Sequence, residues 1–337
     1  MIYPKHISKN DTIGITAPSD GVTDNLKLKR LDHAKINWKE KGYFVLETPS
    51  VRKSYAGKSA NSLCQAKELE SLFENKEVTY IIAAAGGDFL IEMLSEINWN
   101  KLEKNPKWFQ GYSDITSINY ILTTTYDIAT VYASNCKDFG MNSWHSSLEN
   151  NLKIIEGKKI IQTNFDLYEK EAKTMITGLE DYNLDTPVNY QIITKEKEIT
   201  MTGRIIGGCI DCLISLCGTK FDHTKKFLEK YKEDGFIWYF DNAELTIEGL
   251  IRALWQLKQN GWFKYVKGFL FGRMFQETSY YNISLKDALL RILEEYQVPI
   301  ITNMDFGHIP PRITIINGSM STIQIHQNQM KFQMEEK

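Results

Sequence analysis

The sequence lacks the features that would tie a chain to a nucleic acid, a membrane, a metal or an oxidising compartment. It has no surplus of either charge: 40 basic against 42 acidic residues leave a net charge of -2. A nucleic-acid footprint needs a basic excess, which is absent. The Lys-rich stretches, Lys153 to Lys159 and Lys195 with Lys197, are broken by acids and read as solvated faces. No apolar run reaches the roughly 18 residues that cross a bilayer; the greasiest stretch, Ile205 to Cys217, is interrupted by Asp211. Met1 to Asn10 is charged and has no apolar segment, so no secretory leader is expected and the chain is expected in the cytoplasm. Five cysteines are an odd number in 337 residues, unlike a disulfide framework. Cys209 and Cys212 form a C-x-x-C without a second ligand pair at zinc spacing, and they read as small apolar residues on a buried helix. G-x-G-x-x-G, G-x-x-x-x-G-K-[ST] and H-E-x-x-H are all missing, so neither a nucleotide cofactor nor a metal is expected.

What is present is a globular composition, 42% hydrophobic and 24% charged. The length suits two domains of roughly 100–200 residues each. Residues 1–137 alternate strand and helix signals. Asp11 to Ala17 reads as a strand ending in the turn cluster Pro18-Ser19-Asp20-Gly21, Leu26 to Lys41 as an amphipathic helix, and Tyr43 to Glu47 as a strand. Ser59 to Phe73 has helical spacing, Tyr80 to Ala85 is a strand apolar on both faces, Phe89 to Ile97 is helical, and Ile115 to Leu122 is helical again. Such alternation implies a parallel sheet in a layered α/β domain. Residues 138–200 are polar and weakly periodic, as in a lid or connecting loop. Order returns over 201–337. Strands are expected at Thr202 to Ile206, Gly235 to Phe240, Tyr265 to Phe271 and Val298 to Met304, with helices at Ile247 to Asn260 and Leu285 to Tyr296. Ile313 to Ile316 and Thr322 to Ile325 look like a closing hairpin around Asn317-Gly318.

In an α/β sheet, chemistry gathers at the carboxyl ends of strands. Four such ends stand out: Gly86-Gly87, Gly111 to Asp114, Asp241 to Glu244 and Asp305 to His308. Ser113 sits where a strand turns into a helix. A hydroxyl there is exposed, and the amide after it can meet a developing oxyanion. Ile115 stands where the G-x-S-x-G elbow has its second glycine, and a serine ahead of an apolar helix is also an ordinary N-cap. His308, between Gly307 and Pro310-Pro311, lies in a stiff loop of the kind that holds a general base. Asp241 ends a strand and suits a carboxylate that orients a histidine. Glu244 is the alternative acid, and either residue also suits the N-terminus of the following helix. Gly86-Gly87 suits a tight turn or a pair of anion-facing amides.

These segments occur in a familiar order. The chain resembles the LD-carboxypeptidase family of serine peptidases, which includes the microcin-immunity peptidases. The matching stretches are Ile13-Gly14-Ile15-Thr16-Ala17-Pro18-Ser19, Ala84-Ala85-Gly86-Gly87, Phe109-Gln110-Gly111-Tyr112-Ser113-Asp114-Ile115-Thr116, Gly203-Arg204-Ile205-Ile206-Gly207-Gly208, Gly268-Phe269-Leu270-Phe271-Gly272-Arg273 and Asp305-Phe306-Gly307-His308. The resemblance implies a flavodoxin-like parallel-sheet N-terminal domain and a smaller, swivelling-type β/β/α C-terminal domain. It implies Ser113 as nucleophile on the first, the acid and the base His308 on the second, and oxyanion amides at Gly87 and Asp114. The family's acid is a Glu, and its position here falls on Asp241, one methylene shorter. The implied activity is metal-free hydrolysis, in the cytoplasm, of an L-D peptide bond at the C-terminus of murein-derived peptides, by a chain that is often a homodimer.

Two other readings accompany this one. A microcin-immunity-type peptidase would cleave a peptidyl-nucleotide and stack an aromatic of the connecting segment on the base. No Trp lies between Trp144 and Trp238, which leaves Tyr168, Tyr182 and Tyr190. A non-catalytic binding module on the same fold would tolerate the Asp241 departure.

Overall fold

The computed structural model describes residues 1–194 and 198–337; Lys195 and Lys197, read above as a solvated face, lie outside the described residues. The first sheet is built from β1 (Thr12–Thr16), β2 (Phe44–Glu47), β3 (Val78–Ala83), β4 (Trp108–Gln110) and β5 (Thr130–Tyr132). These five strands are parallel and lie in the order β5-β4-β3-β1-β2, the doubly wound flavodoxin-like arrangement. Ile13, Ile15 and Tyr80 to Ala83 are almost wholly buried, because helices cover both faces of a parallel sheet. Those helices are α1 (Asn25–Glu40), α2 (Ser62–Glu74), α3 (Trp99–Lys104) and α4 (Thr116–Tyr126). The Asp24 carboxylate starts α1 by accepting from the amides of Leu26 and Lys27.

The stretch Phe89 to Ile97, expected to be helical, forms only a single 3-10 turn at Leu90–Met93. Leu90, Met93, Leu94 and Ile97 are buried, whereas Phe89 and Ile91 are exposed. The ends of the stretch, however, are held by side chains: the Leu90 amide donates to Asp114 at 2.9 Å and the Asn98 amide to Glu70 at 2.8 Å. Those carboxylates take the place of helix hydrogen bonds.

Residues 138–200 hold more structure than their composition suggested. Helix α5 (Ser146–Ile155) buries Leu148, Leu152, Ile154 and Ile155. Its amphipathic stripe spans only ten residues between polar flanks, too short to stand out in the sequence. After it come β6 (Ile161–Thr163), β7 (Leu167–Tyr168), β8 (Thr186–Pro187) and β9 (Gln191–Ile192). β7 and β8 make a two-stranded ribbon, while β6 and β9 are the two edges of the second sheet.

That sheet continues with β10 (Glu198–Cys209), β11 (Phe236–Asp241), β12 (Val266–Gly272) and β13 (Ile300–Met304), which are parallel to one another. The remaining helices are α6 (Ile210–Leu216), α7 (Thr224–Lys230), α8 (Ile247–Gln259) and α9 (Leu285–Leu293). β10 runs through Gly207-Gly208, so Cys209 is the last residue of a strand and only Cys212 sits on a helix.

The expected closing hairpin around Asn317-Gly318 does not form. β14 (Ile315–Asn317) pairs antiparallel with β5 in the first sheet, whereas β15 (Met320–His326) pairs with β10 in the second. The intervening residues are pinned to β10: the Gly318 amide donates to Ile205 O at 2.8 Å and the Ile205 amide to Ser319 O at 2.9 Å. Here the chain crosses between sheets, and the hairpin partner of β15 is β16 (Gln329–Glu335).

Helix α4 locks the two sheets together. All residues from Thr116 to Thr124 are buried, as in a helix covered on every side. The Tyr120 ring stacks on Trp262 with centroids 5.0 Å apart, and its hydroxyl bonds Thr224 Oγ1 at 2.8 Å. The Cys209 amide donates to Thr116 Oγ1 at 3.0 Å. The carboxyl end of β10 is thereby tied to the start of α4, and the carboxyl ends of both sheets face one cleft. Among the described residues, no helix is long and apolar enough to cross a membrane.

Candidate active site

Ser113 follows β4 on a sharp turn and has a backbone φ of +67°. A non-glycine residue in this left-handed region stores about 1–3 kcal/mol of strain and persists only where its surroundings impose it. The imposition is visible. A methyl group on Gly86 would sit 2.9 Å from Ser113 Cβ and 3.0 Å from Oγ, so the glycine leaves the space that the serine side chain occupies. The following 3-10 turn, Ser113–Ile115, leads directly into α4.

His308 reaches Ser113 from the second sheet, with Nε2 3.0 Å from Ser113 Oγ. Its other ring nitrogen, Nδ1, lies 2.7 Å from Asp241 Oδ2. Asp241 ends β11 and is wholly buried. Besides the imidazole it accepts the Tyr132 hydroxyl at 2.7 Å and the His308 amide at 3.3 Å. Burial alone would raise the Asp241 pKa; the facing imidazole and the Tyr132 hydroxyl outweigh it, and the carboxyl is held below its ordinary value. For His308, burial opposes the charge, but the Asp241 carboxylate dominates and the pKa is raised. Seen from either partner, the pair favours imidazolium against carboxylate. The chain Ser113–His308–Asp241 can therefore take a proton from a hydroxyl and hold the resulting charge.

Of the two candidate acids, Asp241 meets His308. Glu244 is exposed, and its amide donates to Asp211 at 3.0 Å. The shorter acid reaches because the His308 loop comes unusually close. Gly307 has a φ of +102°, and a methyl group there would lie 2.7 Å from Asp241 Cγ and nearer still to Oδ1. Without a side chain at 307, the loop settles onto the carboxylate and supplies the amide of His308 as well.

Two buried arginines hold that loop. Arg312 donates from Nε to Gly307 O at 2.9 Å, and from Nη1 to Ser134 Oγ and Asp138 Oδ2, each at 3.1 Å. Its guanidinium lies over the Tyr112 ring, 4.3 Å from the centroid. Arg273 pairs with Asp305 and donates to the carbonyls of Ile309 and Pro311; burial pulls its pKa down to about 10.

Gly87 lines the cleft beside Ser113. The Asp114 side chain is buried behind it, accepting from Ser19 Oγ at 2.5 Å and from the Leu90 amide at 2.9 Å. Burial raises its pKa. Tyr132 and Arg312 escaped sequence reasoning. Tyr132 closes β5, next to β4, so the rule that chemistry gathers at strand ends would have found it. Arg312 carries no comparable signal, because its partners are brought together only by the fold. Among the described residues, no group of three His, Cys, Asp or Glu could hold a metal.

Residues 13–133 match the LD-carboxypeptidase N-terminal domain and residues 202–323 the LD-carboxypeptidase C-terminal domain. The chain belongs to the LD-carboxypeptidase family. It is 24% identical to a putative carboxypeptidase of Vibrio cholerae, over 99% of this chain and 98% of that one. It is 23% identical to a probable murein peptide carboxypeptidase of Bacillus subtilis, over 95% and 91%. Its fold superposes on an MccF-like protein from Bacillus anthracis with a TM-score of 0.84, at 23% identity and full coverage of both chains. The microcin C7 self-immunity protein in complex with aspartyl sulfamoyl adenosine also gives 0.84, at 21% identity, over 100% of this chain and 99% of that one. Relatives named as carboxypeptidases span nearly the whole chain, and one family domain lies on each side of the cleft.

Proposed function

We propose that this peptidase is a serine carboxypeptidase that hydrolyses an L-D peptide bond at the C-terminus of murein-derived peptides through an acyl-enzyme. The observation that carries the reading is the chain of close contacts from Ser113 through His308 to Asp241, with Ser113 presented at positive φ in an open cleft. His308 Nε2 takes the hydroxyl proton as Ser113 Oγ attacks the scissile carbonyl. The Gly87 and Asp114 amides meet the oxyanion. The imidazolium then gives its proton to the departing amine and the C–N bond breaks. Water, deprotonated by His308, releases the acyl group and restores the hydroxyl. Asp241, with its lowered pKa, stays ionised throughout and fixes the imidazole tautomer.

A second reading, hydrolysis of a peptidyl-nucleotide, draws on the likeness to microcin self-immunity proteins solved with aspartyl sulfamoyl adenosine and glutamyl sulfamoyl guanosine. The aromatics of the connecting segment favour the carboxypeptidase. The Tyr168 ring is covered by the Arg273 guanidinium, and the Tyr190 hydroxyl is spent on Asp305. Tyr182 alone lines the cleft, with its ring edge-on to His145. Incubation with a murein tetrapeptide and, separately, with aspartyl sulfamoyl adenosine distinguishes the two. Release of the terminal D-amino acid, lost in Ser113→Ala, is the expected result. Turnover of the nucleotide substrate alone would replace this reading with the second, and an undiminished Ser113→Ala would remove the acyl-enzyme altogether.

A further inference from the structure

Charge is distributed unevenly around Ser113. One flank of the cleft, reached past Asp114 and Cys212, carries Asp88, Asp211 and Glu244 and no Lys or Arg. The other flank, reached past Tyr112, carries the lysines Lys27, Lys137 and Lys173 interspersed with acids. His308 lines both. An anionic group on a bound substrate is therefore repelled from the first flank and meets lysine partners on the second, where the imidazole can still protonate the atom that leaves.

On the second flank the cations differ in what they have left to give. Arg30 donates to the carbonyls of Gly178 and Glu180, and Arg312 is occupied by Ser134, Asp138 and Gly307. Among the described residues, nothing accepts a hydrogen bond from the Lys137 ammonium, although it sits in the 3-10 turn Cys136–Gly140 directly after β5. The acids of this flank are already engaged: Asp24 caps α1, Asp138 is paired with Arg312, and Asp20, Glu169, Glu180 and Asp181 accept from backbone amides. Burial is the first cause that pushes the Lys137 pKa down, and Lys27, Arg312 and Arg30 push the same way against Asp138. An ammonium in that position gains most from an arriving anion.

We infer that Lys137 is the anion-binding residue of the leaving-group subsite. Its ammonium receives the negative charge carried by the departing half of the substrate, with Lys27 reinforcing the field. The inference rests on the reading of Ser113 as nucleophile. It assigns to that site a requirement for an anion close to the scissile bond: the carboxylate of a released amino acid, or the phosphate-like group of a released nucleotide.

The test compares a murein tetrapeptide bearing a free C-terminal carboxylate, the same peptide as its C-terminal amide, and aspartyl sulfamoyl adenosine. Each is offered to the wild-type enzyme, Lys137→Met and Lys137→Arg. A charge-assisted hydrogen bond predicts that Lys137→Met raises KM for the free acid about 10- to 100-fold. The amide should change little, and Lys137→Arg should recover part of the loss. If the effect falls on the peptide acid, the anion is a carboxylate; if it falls on the sulfamoyl adenylate, it is the nucleotide-side group; either supports the assignment. Fluorophosphonate labelling of Ser113, which needs no anionic leaving group, should be unaltered in Lys137→Met. Calorimetric titration of the acid and the amide into Ser113→Ala, with and without Lys137→Met, reads the preference without turnover. A Lys137-dependent preference for the acid in that titration stands even if the wild-type enzyme hydrolyses none of the three, in which case the peptidase reading fails alone. Equal weakening of acid and amide, or undiminished preference for the acid in Lys137→Met, overturns the role of Lys137.

Discussion

Gly307→Ala offers the sharpest test of how the candidate triad is assembled. A methyl group at 307 would lie 2.7 Å from Asp241 Cγ, against about 3.5 Å for an ordinary carbon contact, so the loop and the carboxylate must separate by about 0.8 Å. The backbone adds its own cost, because φ is +102°, and an alanine forced to positive φ loses about 1–2 kcal/mol. The displacement falls on groups that have no slack. His308 follows directly and holds Ser113 Oγ at 3.0 Å and Asp241 at 2.7 Å, and Arg312 grips the Gly307 carbonyl at 2.9 Å. A misplacement of about 1 Å between reacting groups costs on the order of 100-fold in rate. The expected result is a fall in kcat/KM of about that size on the murein tetrapeptide and a comparable slowing of fluorophosphonate labelling. The melting temperature should drop by only a few degrees, at about 2–4 °C per kcal/mol for a unit of this size. A variant that melts lower but keeps kcat/KM within threefold of wild type would refute the argument, because the close approach at Gly307 would then be packing without consequence for the triad.

Three further outcomes follow from the same geometry. Asp241 raises the His308 pKa, and the base must be neutral to act. The acid limb of kcat/KM should therefore lie above the ordinary imidazole range, about 6.5. Asp241→Asn should move that limb down and lower kcat by about 10⁴; a pH profile with an unmoved limb would sink the pairing. Ser113→Gly should melt higher than Ser113→Ala by the equivalent of about 1 kcal/mol, since glycine accepts the φ of +67° without strain, while neither variant labels; equal melting would mean that Ser113 stores no strain. Asp241→Glu, although it installs the longer acid, should lose about 10- to 100-fold in kcat/KM, because an added methylene overpacks a buried site by about 1–3 kcal/mol and drives the carboxylate into the Gly307 backbone. Wild-type kinetics in that variant would show that the loop adapts freely.

The strand ends that carry the candidate residues were legible in the sequence, and the family resemblance singled out the three among them. Ser113, Asp241 and His308 each close a strand or follow one, and strands here are marked by dense apolar runs such as Phe236 to Phe240, all buried. That the first sheet is mainly parallel followed from the alternation of strand and helix. Elements defined by distant partners were not legible. The stretch Phe89 to Ile97 has helical spacing, yet Asp114 and Glu70 capture its end amides, and a carboxylate 24 residues away leaves no mark in a local window. Likewise Ile313 to Ile325 has the pattern of a hairpin, with Asn317-Gly318 at the turn. The chain instead divides its two strands between the sheets, because residues 318 and 319 are already bonded to Ile205.

The same crossing accounts for the acid. β14 carries the chain from the His308 loop to the edge of the first sheet, beside β5, the strand that ends in Tyr132. The hydroxyl of Tyr132 comes from the first sheet and the imidazole of His308 from the loop after β13, and both bond one carboxylate oxygen on β11. Asp241 is thus fixed by two separate parts of the chain, and the space that a longer acid would fill is taken up by the approach of the loop at Gly307. Acid length and the residue at 307 are one structural choice, so each should fail when changed alone: the first by pushing the carboxylate outward, the second by pushing the histidine away.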